Sequence, residues 1–476
     1  MRKTAILTAA VIALCLFAVT PAYAATGASG KVRDITTKAP IAGAVVSLGA
    51  KSAVSNALGV FSLVLPVGTS TLVIKKTGYL TTQQVVRVVA GKMTAMTWSL
   101  THSYPSHGVP AGALSVLAWN DLGMHCDQDS YKYLMVLPPY NTLHVQLFGG
   151  EGSAGRNYTV SYAFAKKTDS TLHTDFWTYA PSFGFNLAPN VGLKGAGLTG
   201  TMQRDPKNLG WIVEGIPVTP YDDDGTWDPY GQATITVKDS GGTVVAKKNV
   251  VVPVSTEMRC YTCHGTTNTY ADILQKHDDA NGTTLLADAN GGHPHACAEC
   301  HADNALGMPG KTGVESLSVA MHKLHDGKVT NTTSGCYSCH PGPKTQCLRG
   351  IMARAGKGCV DCHGTMKTMW SSASTTRRPW LDEPKCATCH GTKYAENANT
   401  LYRNSTLNRS LEGDMNGRIY CEACHNGTHA EYTTSNKADA VVPASAQGDS
   451  YWSYNCQVCH KSGDSETRFR GQTMHR

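Results

Sequence analysis

The chain has 476 residues, 41% of them hydrophobic and 16% charged, with a formal net charge of +7. That length suits roughly two to four domains, and the composition excludes a disordered or collagen-like chain. Beyond residue 25 no apolar run approaches the ~20 residues that a spanning helix needs, so a soluble mature chain with no transmembrane anchor is expected.

Residues 1–24 read as a signal peptide. Arg2 and Lys3 make a basic start, Ala5 to Val19 an apolar stretch, and Ala22-Tyr23-Ala24 a cleavage signal, which implies export to the periplasm, the outer surface or beyond. Cys15 would be removed with it, and Leu14 stands where a lipoprotein signal needs a small residue.

Residues 25–100 alternate with period two, most clearly at Phe61-Ser62-Leu63-Val64-Leu65 and Leu72-Val73-Ile74-Lys75, broken by Gly59, Gly68 and Gly78. An antiparallel β-sandwich is predicted. The stretches GKVRD, PIAGAVVSLG, NALGVFSL and LPVGTSTLVIKKTGY resemble the carboxypeptidase-regulatory-like domain, which implies an Ig-like or prealbumin-like sandwich serving as spacer or adhesion module.

Residues 101–112, with Pro105, Gly108, Pro110 and Gly112, suit a linker. A second all-β domain is expected over 113–256, from strand-like runs at Ala113–Trp119, Thr142–Phe148, Tyr158–Phe164, Trp211–Val218, Gln232–Lys238 and Val244–Val254, with a hairpin turn at Asp239-Ser240-Gly241-Gly242. Over 257–476 the pattern dissolves into loops, with helices predicted at Tyr270–Asp279 and Ser316–His325. Long apolar stretches are scarce here, so something other than side chains must fill the core.

Fifteen of the 17 cysteines lie in that last region, and fourteen of them belong to seven C-x-x-C-H words. These are Cys260, Cys263 and His264; Cys297, Cys300 and His301; Cys336, Cys339 and His340; Cys359, Cys362 and His363; Cys386, Cys389 and His390; Cys421, Cys424 and His425; Cys456, Cys459 and His460. Two thiols three positions apart can add to the two vinyl groups of one haem, while the adjoining imidazole becomes the proximal iron ligand. A zinc half-site or a thioredoxin-like pair does not require the histidine that follows every pair here. Seven haems c are therefore expected. Large flat apolar haems would replace the missing core, so the haem-free region should be largely unfolded.

Removing Arg2 and Lys3 lowers the formal charge to +5. Haem propionates lower it further, to near neutral when the irons are ferric and to an acidic value when they are ferrous. The sequence pI of 8.6 is thus no argument for nucleic-acid binding.

The iron's second axial position decides between an electron carrier and a catalyst, because an open iron can bind substrate. Of 19 histidines, seven sit in the words and five precede residue 256: His102, His107, His125, His144 and His173. Seven remain as distal candidates: His277, His293, His295, His322, His325, His429 and His475. His277, His322 and His325 fall on predicted helices, and the i, i+3 spacing of the last two puts them on one face, able to serve neighbouring haems. His429 follows the word histidine His425 by four residues. His125 and His144 are the substitutes, and no methionine has a suitable context.

Six further stretches, NDLGMHC, LPPYNTLHVQLF, ILQKHDDANGT, SLSVAMHKLH, HPGPKTQCLRG and CEACHNGTHAEY, together with the seven words, resemble secreted multihaem c-type cytochromes of metal-reducing bacteria. The resemblance implies bis-His, low-potential haems in a closely stacked chain. It also implies electron transfer toward an external acceptor, a metal oxide or a partner cytochrome, with polymerisation into a haem filament known among such proteins. No catalytic residue is expected on this reading. The alternative is a reductase of a nitrite- or hydroxylamine-like molecule at one open-coordination haem. Such reductases often carry C-x-x-C-K at the catalytic haem, whereas all seven words here end in histidine.

Cys126 and Cys347 are left over, either as a disulfide between the β-domain and the haem region or as two separately buried thiols. Asp222-Asp223-Asp224-Gly225 lacks EF-hand spacing and reads as an acidic turn rather than a Ca²⁺ site. Tyr261, Tyr337, Trp370, Trp380 and Trp452 are expected to pack against porphyrin rather than to relay electrons.

Overall fold

A computed structural model describes residues 25–34, 38–79, 81–100, 114–149, 158–205, 210–371, 386–390, 401–403, 418–434, 436–448, 450–451 and 458. The signal segment, the linker, most of the seventh C-x-x-C-H word, and Trp380, Trp452 and His475 lie outside them. The chain divides into two compact units, Met1–Pro105 and Ser106–Arg476.

The first unit is a sandwich of seven strands: β1 (Gly27–Asp34), β2 (Val45–Leu48), β3 (Lys51–Val54), β4 (Val60–Val64), β5 (Gly68–Lys75), β6 (Thr82–Val88) and β7 (Met93–Leu100). One sheet runs β4-β1-β7 and the other β3-β2-β5-β6. Alternate residues enter the core, where Val32, Val46, Leu72 and Ile74 are fully buried and the Phe61 and Trp98 rings stack at 5.2 Å. The sandwich is not purely antiparallel, because β1 and β7 pair in parallel from Gly27↔Met93 to Asp34↔Leu100. Glycine permits that approach: a Cβ on Gly30 would stand 1.9 Å from the Met96 carbonyl oxygen.

In the second unit the strands are β8 (Leu114–Trp119), β9 (His125–Cys126), β10 (Leu134–Met135), β11 (Thr142–Gly149), β12 (Thr159–Phe164), β13 (Thr199–Thr201), β14 (Gln203–Arg204), β15 (Trp211–Glu214), β16 (Gln232–Lys238), β17 (Val244–Val251), β18 (Val254–Ser255) and β19 (His295–Ala296). Two four-stranded sheets, β14-β15-β11-β8 and β13-β12-β16-β17, form a second sandwich. The expected hairpin joins β16 to β17, with Gly242 at φ 83° and Asp239 accepting from the Gly241 and Thr243 amides. The domain is not all-β, however. Between β12 and β13 lies helix α1 (Phe176–Tyr179), flanked by 3₁₀ turns that Asp169 caps at one end and Gly184, at φ 82°, ends at the other. The acidic turn beside it is held by protein groups, since Asp223 accepts from the Thr168 and Asp169 amides and Asp222 faces Lys167.

Short helices follow: α2 (Tyr261–His264), α3 (Thr269–Asn281), α4 (Leu285–Asn290), α5 (Leu317–His325), α6 (Thr333–Cys336), α7 (Ile351–Arg354), α8 (Cys359–His363), α9 (Met366–Ser371), α10 (Ala387–His390), α11 (Cys421–His425) and α12 (Val441–Gln447). The second sandwich does not close on itself. Ile419, Tyr420, Ala423 and Val442 belong to the same apolar core as Val116, Val145 and Val250. Tyr420 also donates its hydroxyl to Asp205 at 2.8 Å and its amide to Gln146 at 3.2 Å. By contrast, between residues 257 and 371 the buried apolar side chains are few and mostly small: Leu274, Ala289, Pro294, Ala296, Ala298 and Pro341.

One buried ion pair pins the loops together. The Arg349 guanidinium forks onto Asp439 at 2.7 and 2.6 Å, with both side chains almost inaccessible. Asp439→Ala leaves that cation buried without its partner and is expected to cost about 3–5 kcal/mol. Equilibrium denaturation of the full chain checks this, with an unchanged denaturant slope showing that the loss is one of stability.

Candidate metal centres

In the first six C-x-x-C-H words the same local turn recurs. The histidine amide donates to the carbonyl of the first cysteine at 3.0 Å for His264 and 2.9 Å for His301, His340 and His390. In α8 and α11 the whole word is helical, from Cys359 to His363 and from Cys421 to His425. One helical turn puts residues i and i+4 on one face, so the first thiol and the imidazole leave the backbone side by side.

Among the described residues, four word histidines face a second imidazole from elsewhere in the chain. Ring centres are 6.4 Å apart for His264 and His325, 6.3 Å for His301 and His277, 6.3 Å for His340 and His322, and 6.0 Å for His363 and His429. The separation is nearly constant while the angle between ring planes runs from 22° to 87°. Stacking would tie angle to distance, and these pairs do not.

The facing rings are oriented through Nδ1. His322 and His325 each donate to the carbonyl one turn back on α5, Ser318 and Met321, at 2.7 Å. His277 lies 2.9 Å from the Thr283 hydroxyl, which itself donates to Asp278, so the imidazole is the donor. His429 donates to the Leu122 carbonyl at 3.0 Å and His301 to that of Glu315 at 2.7 Å. His264 meets the Asp272 carboxylate at 2.8 Å, and Lys276 pairs with the same carboxylate. Each bond places the proton on Nδ1 and leaves Nε2 as a lone-pair donor, the tautomer a metal-binding imidazole needs. Desolvation also holds His277 and His429 below the usual histidine range, favouring the neutral ring.

The remaining candidates stand elsewhere. His295 has both nitrogens engaged by carboxylates, Glu299 at 2.9 Å and Asp288 at 3.3 Å, and the Glu299 bond in particular raises its pKa. Its ring is thus part of an ion-pair cluster, and His293 beside it is exposed. His390 ends α10 at the surface and His425 ends α11, half-buried. Cys456, Cys459, His460 and His475 lie outside the described residues. His125 engages Asp121 through Nε2 at 2.8 Å, and His144 stacks on Trp119 at 5.3 Å.

Neighbouring words touch through their thiols, Cys336 hydrogen-bonding Cys359 and Cys421 bonding Cys386. Cys126 and Cys347 are free thiols with no disulfide between them. Cys347 turns its sulfur to His429 Nδ1 at 3.5 Å and Cys126 to the Asp127 carbonyl at 4.0 Å. Among the described residues no three or more His, Cys, Asp or Glu side chains gather as a zinc cage requires.

Sequence reasoning could reach Ser318 and Met321 once α5 was placed, because an i−4 carbonyl is local. Asp272, Glu315 and Leu122 carry no comparable signal.

Residues 27–101 match the carboxypeptidase regulatory-like domain family, so the first sandwich is a β-domain of that kind. No curated protein matches the chain. Among solved structures, a cohesin–X-dockerin complex from Acetivibrio cellulolyticus is 28% identical over 18% of this chain and 60% of its own, with a TM-score of 0.13. The chain thus spans less than two thirds of that protein. A DUF3823 family protein from Bacteroides ovatus is 11% identical over 48% of this chain and 98% of its own, with a TM-score of 0.13. A streptococcal ancillary pilin is 10% identical over 50% and 62%, with a TM-score of 0.15.

Beside Cys126, burial pushes the Asp127 carboxyl up to about 7. Tyr131 lies 2.7 Å from both Asp127 Oδ1 and the Leu137 carbonyl. The hydroxyl donates toward both, but burial outweighs the Tyr131 and Gln128 hydrogen bonds and keeps a proton on the carboxyl. A folded pKa above the unfolded ~3.9 means that the stability held by this proton is complete below about pH 4 and lost as pH rises through about 7. Asp127→Asn should therefore flatten the decline in denaturation midpoint between pH 4 and 7, and a slope equal to that of the parent would refute the assignment.

Proposed function

We propose that residues 257–476 hold seven haems c and that the protein carries electrons outside the cytoplasm toward an external acceptor. The observation that carries this reading is the set of four imidazole pairs, each joining a C-x-x-C-H histidine to a spare one. Two imidazoles bound trans to one metal at ~2.0 Å each have ring centres about 6 Å apart, while rotation about that axis stays free. Constant distance with variable angle is the pattern such ligation requires.

Other features agree. In the six described words the first thiol leaves the backbone beside the imidazole, as covalent attachment next to an iron ligand needs. The stretch from 257 to 371 buries few apolar side chains of its own, which suits a region whose core is a bound apolar group. When bound, haem supplies one-electron iron chemistry.

At four words this chain would offer a bound haem iron two imidazoles, and it holds both rings in place. His325, His277, His322 and His429 serve the first, second, third and fourth words, and their Nδ1 partners keep each ring turned. At those four words a bound haem would leave no position for a substrate, which supports a carrier over a reductase. The words also form neighbours through which electrons can pass. Helix α3 bears both Asp272, bonded to His264, and His277, facing His301; α5 links the first word to the third; and the third and fourth words, like the fifth and sixth, bring their first cysteines close together.

Low-temperature EPR of the oxidised, haem-loaded protein, with intact mass for the haem count, tests this. Seven haem increments and seven low-spin irons are expected; a high-spin iron in the parent protein would instead indicate an open site and a reductase. His322→Ala and His325→Ala should each convert one iron, and a different one, to high spin with the haem count unchanged.

A further inference from the structure

Three of the four spare imidazoles find their Nδ1 acceptor within six residues of themselves, at Thr283, Ser318 and Met321. His429 does not. Its acceptor, the Leu122 carbonyl, lies 307 residues upstream, in the loop that leaves β8 of the second sandwich.

That loop is built tightly. Asn120 Oδ1 accepts from the Gly123 amide at 2.6 Å, while its Nδ2 donates to Asn141 Oδ1 at 2.6 Å and to the Thr142 carbonyl at 2.8 Å on β11. Asp121 accepts from the Leu122 amide at 2.7 Å and meets His125 Nε2 at 2.8 Å. Asn120, Asp121 and His125 are all buried. The loop thereby fixes the direction of one carbonyl. Gly123, at φ 83°, brings it against the ligand segment: a Cβ there would stand 3.1 Å from the Ala430 amide nitrogen and 3.4 Å from His429 Cβ. Gly427 reciprocates, since its Cβ would stand 2.5 Å from the Asn120 carbonyl oxygen.

We propose that the Asn120–Gly123 loop is the positioning element for the His429 imidazole, making the second sandwich a working part of the fourth centre rather than a spacer. This rests on the bis-imidazole reading above. The carbonyl of Leu122 takes the Nδ1 proton and holds the ring edge, while the backbone amides of Arg349 and Gly350, at 2.8 and 3.2 Å, hold the His429 carbonyl from the opposite side. Cys347, at 3.5 Å, is a secondary neighbour of the same nitrogen.

The test uses the full haem-loaded chain. Asn120→Ala frees the loop and Gly123→Ala pushes it off the ligand segment; both should keep seven haems by mass yet turn one iron of seven high-spin in EPR. Added imidazole should restore the low-spin signal by replacing the strayed ring, which it would not do for a general loss of fold. Asp239→Ala, which loosens the β16–β17 hairpin, should leave every iron low-spin. Seven low-spin irons in both loop variants would overturn the proposal while leaving the carrier reading intact. If the parent protein holds no haem, the carrier reading fails first. Should Gly123→Ala not fold, Asn120→Ala alone decides the outcome.

Discussion

Holding two imidazoles from separate stretches of chain at 6.0 to 6.4 Å is a demand that neither ring can meet alone. A side chain rotates freely unless something fixes its edge, so each ring needs a backbone or side-chain acceptor at Nδ1, and each acceptor needs its own support. Helix α5 provides two such acceptors from its own hydrogen-bond ladder. The Leu122 carbonyl requires a whole buried loop. Most of the local architecture around these histidines follows from that requirement.

The contrast between the two halves of the second unit has the same root. Its sandwich is held by ordinary side-chain packing, with Val116, Leu143, Ile235 and Val252 deep in one core. The region after it is held by hydrogen bonds, caps and the Arg349–Asp439 fork. The halves meet where Tyr420, just before the sixth C-x-x-C-H word, and Ala423, within it, enter the sandwich's core. A rigid β-layer thus backs a loop-rich region that lacks an extensive apolar core of its own.

Much of this was legible in the chain. Period-two runs marked most of the long strands to within a residue or two, and the amphipathic stretches around His277 and His325 became α3 and α5, the latter capped by Ser316. The helical insertion at Phe176 was missed because its capping signals are only a few residues long amid strand-like surroundings. The parallel pairing of β1 with β7 was hidden because alternation reveals faces and not direction. Within the His293-Pro294-His295 candidates, where the proline fixes an extended path, Asp288 and Glu299 engage the second ring from positions seven before and four after it. The seven words were plain, whereas the supports of their partners, such as Leu122 and Glu315, depend on folding that no spacing records.

Helix α5 carries His322 and His325 to two different words, His340 and His264. Three residues of helix amount to about 4.5 Å of rise and a turn of roughly 300°. The two rings are therefore rigidly geared: neither can be drawn toward its partner without moving the other. A single residue inserted between them would swing one ring by about 100° and break the gearing outright. Such a segment tolerates exchange of its outward side chains far better than any change in its length, so among related chains the interval between these two histidines should be the most invariant measurement along the helix.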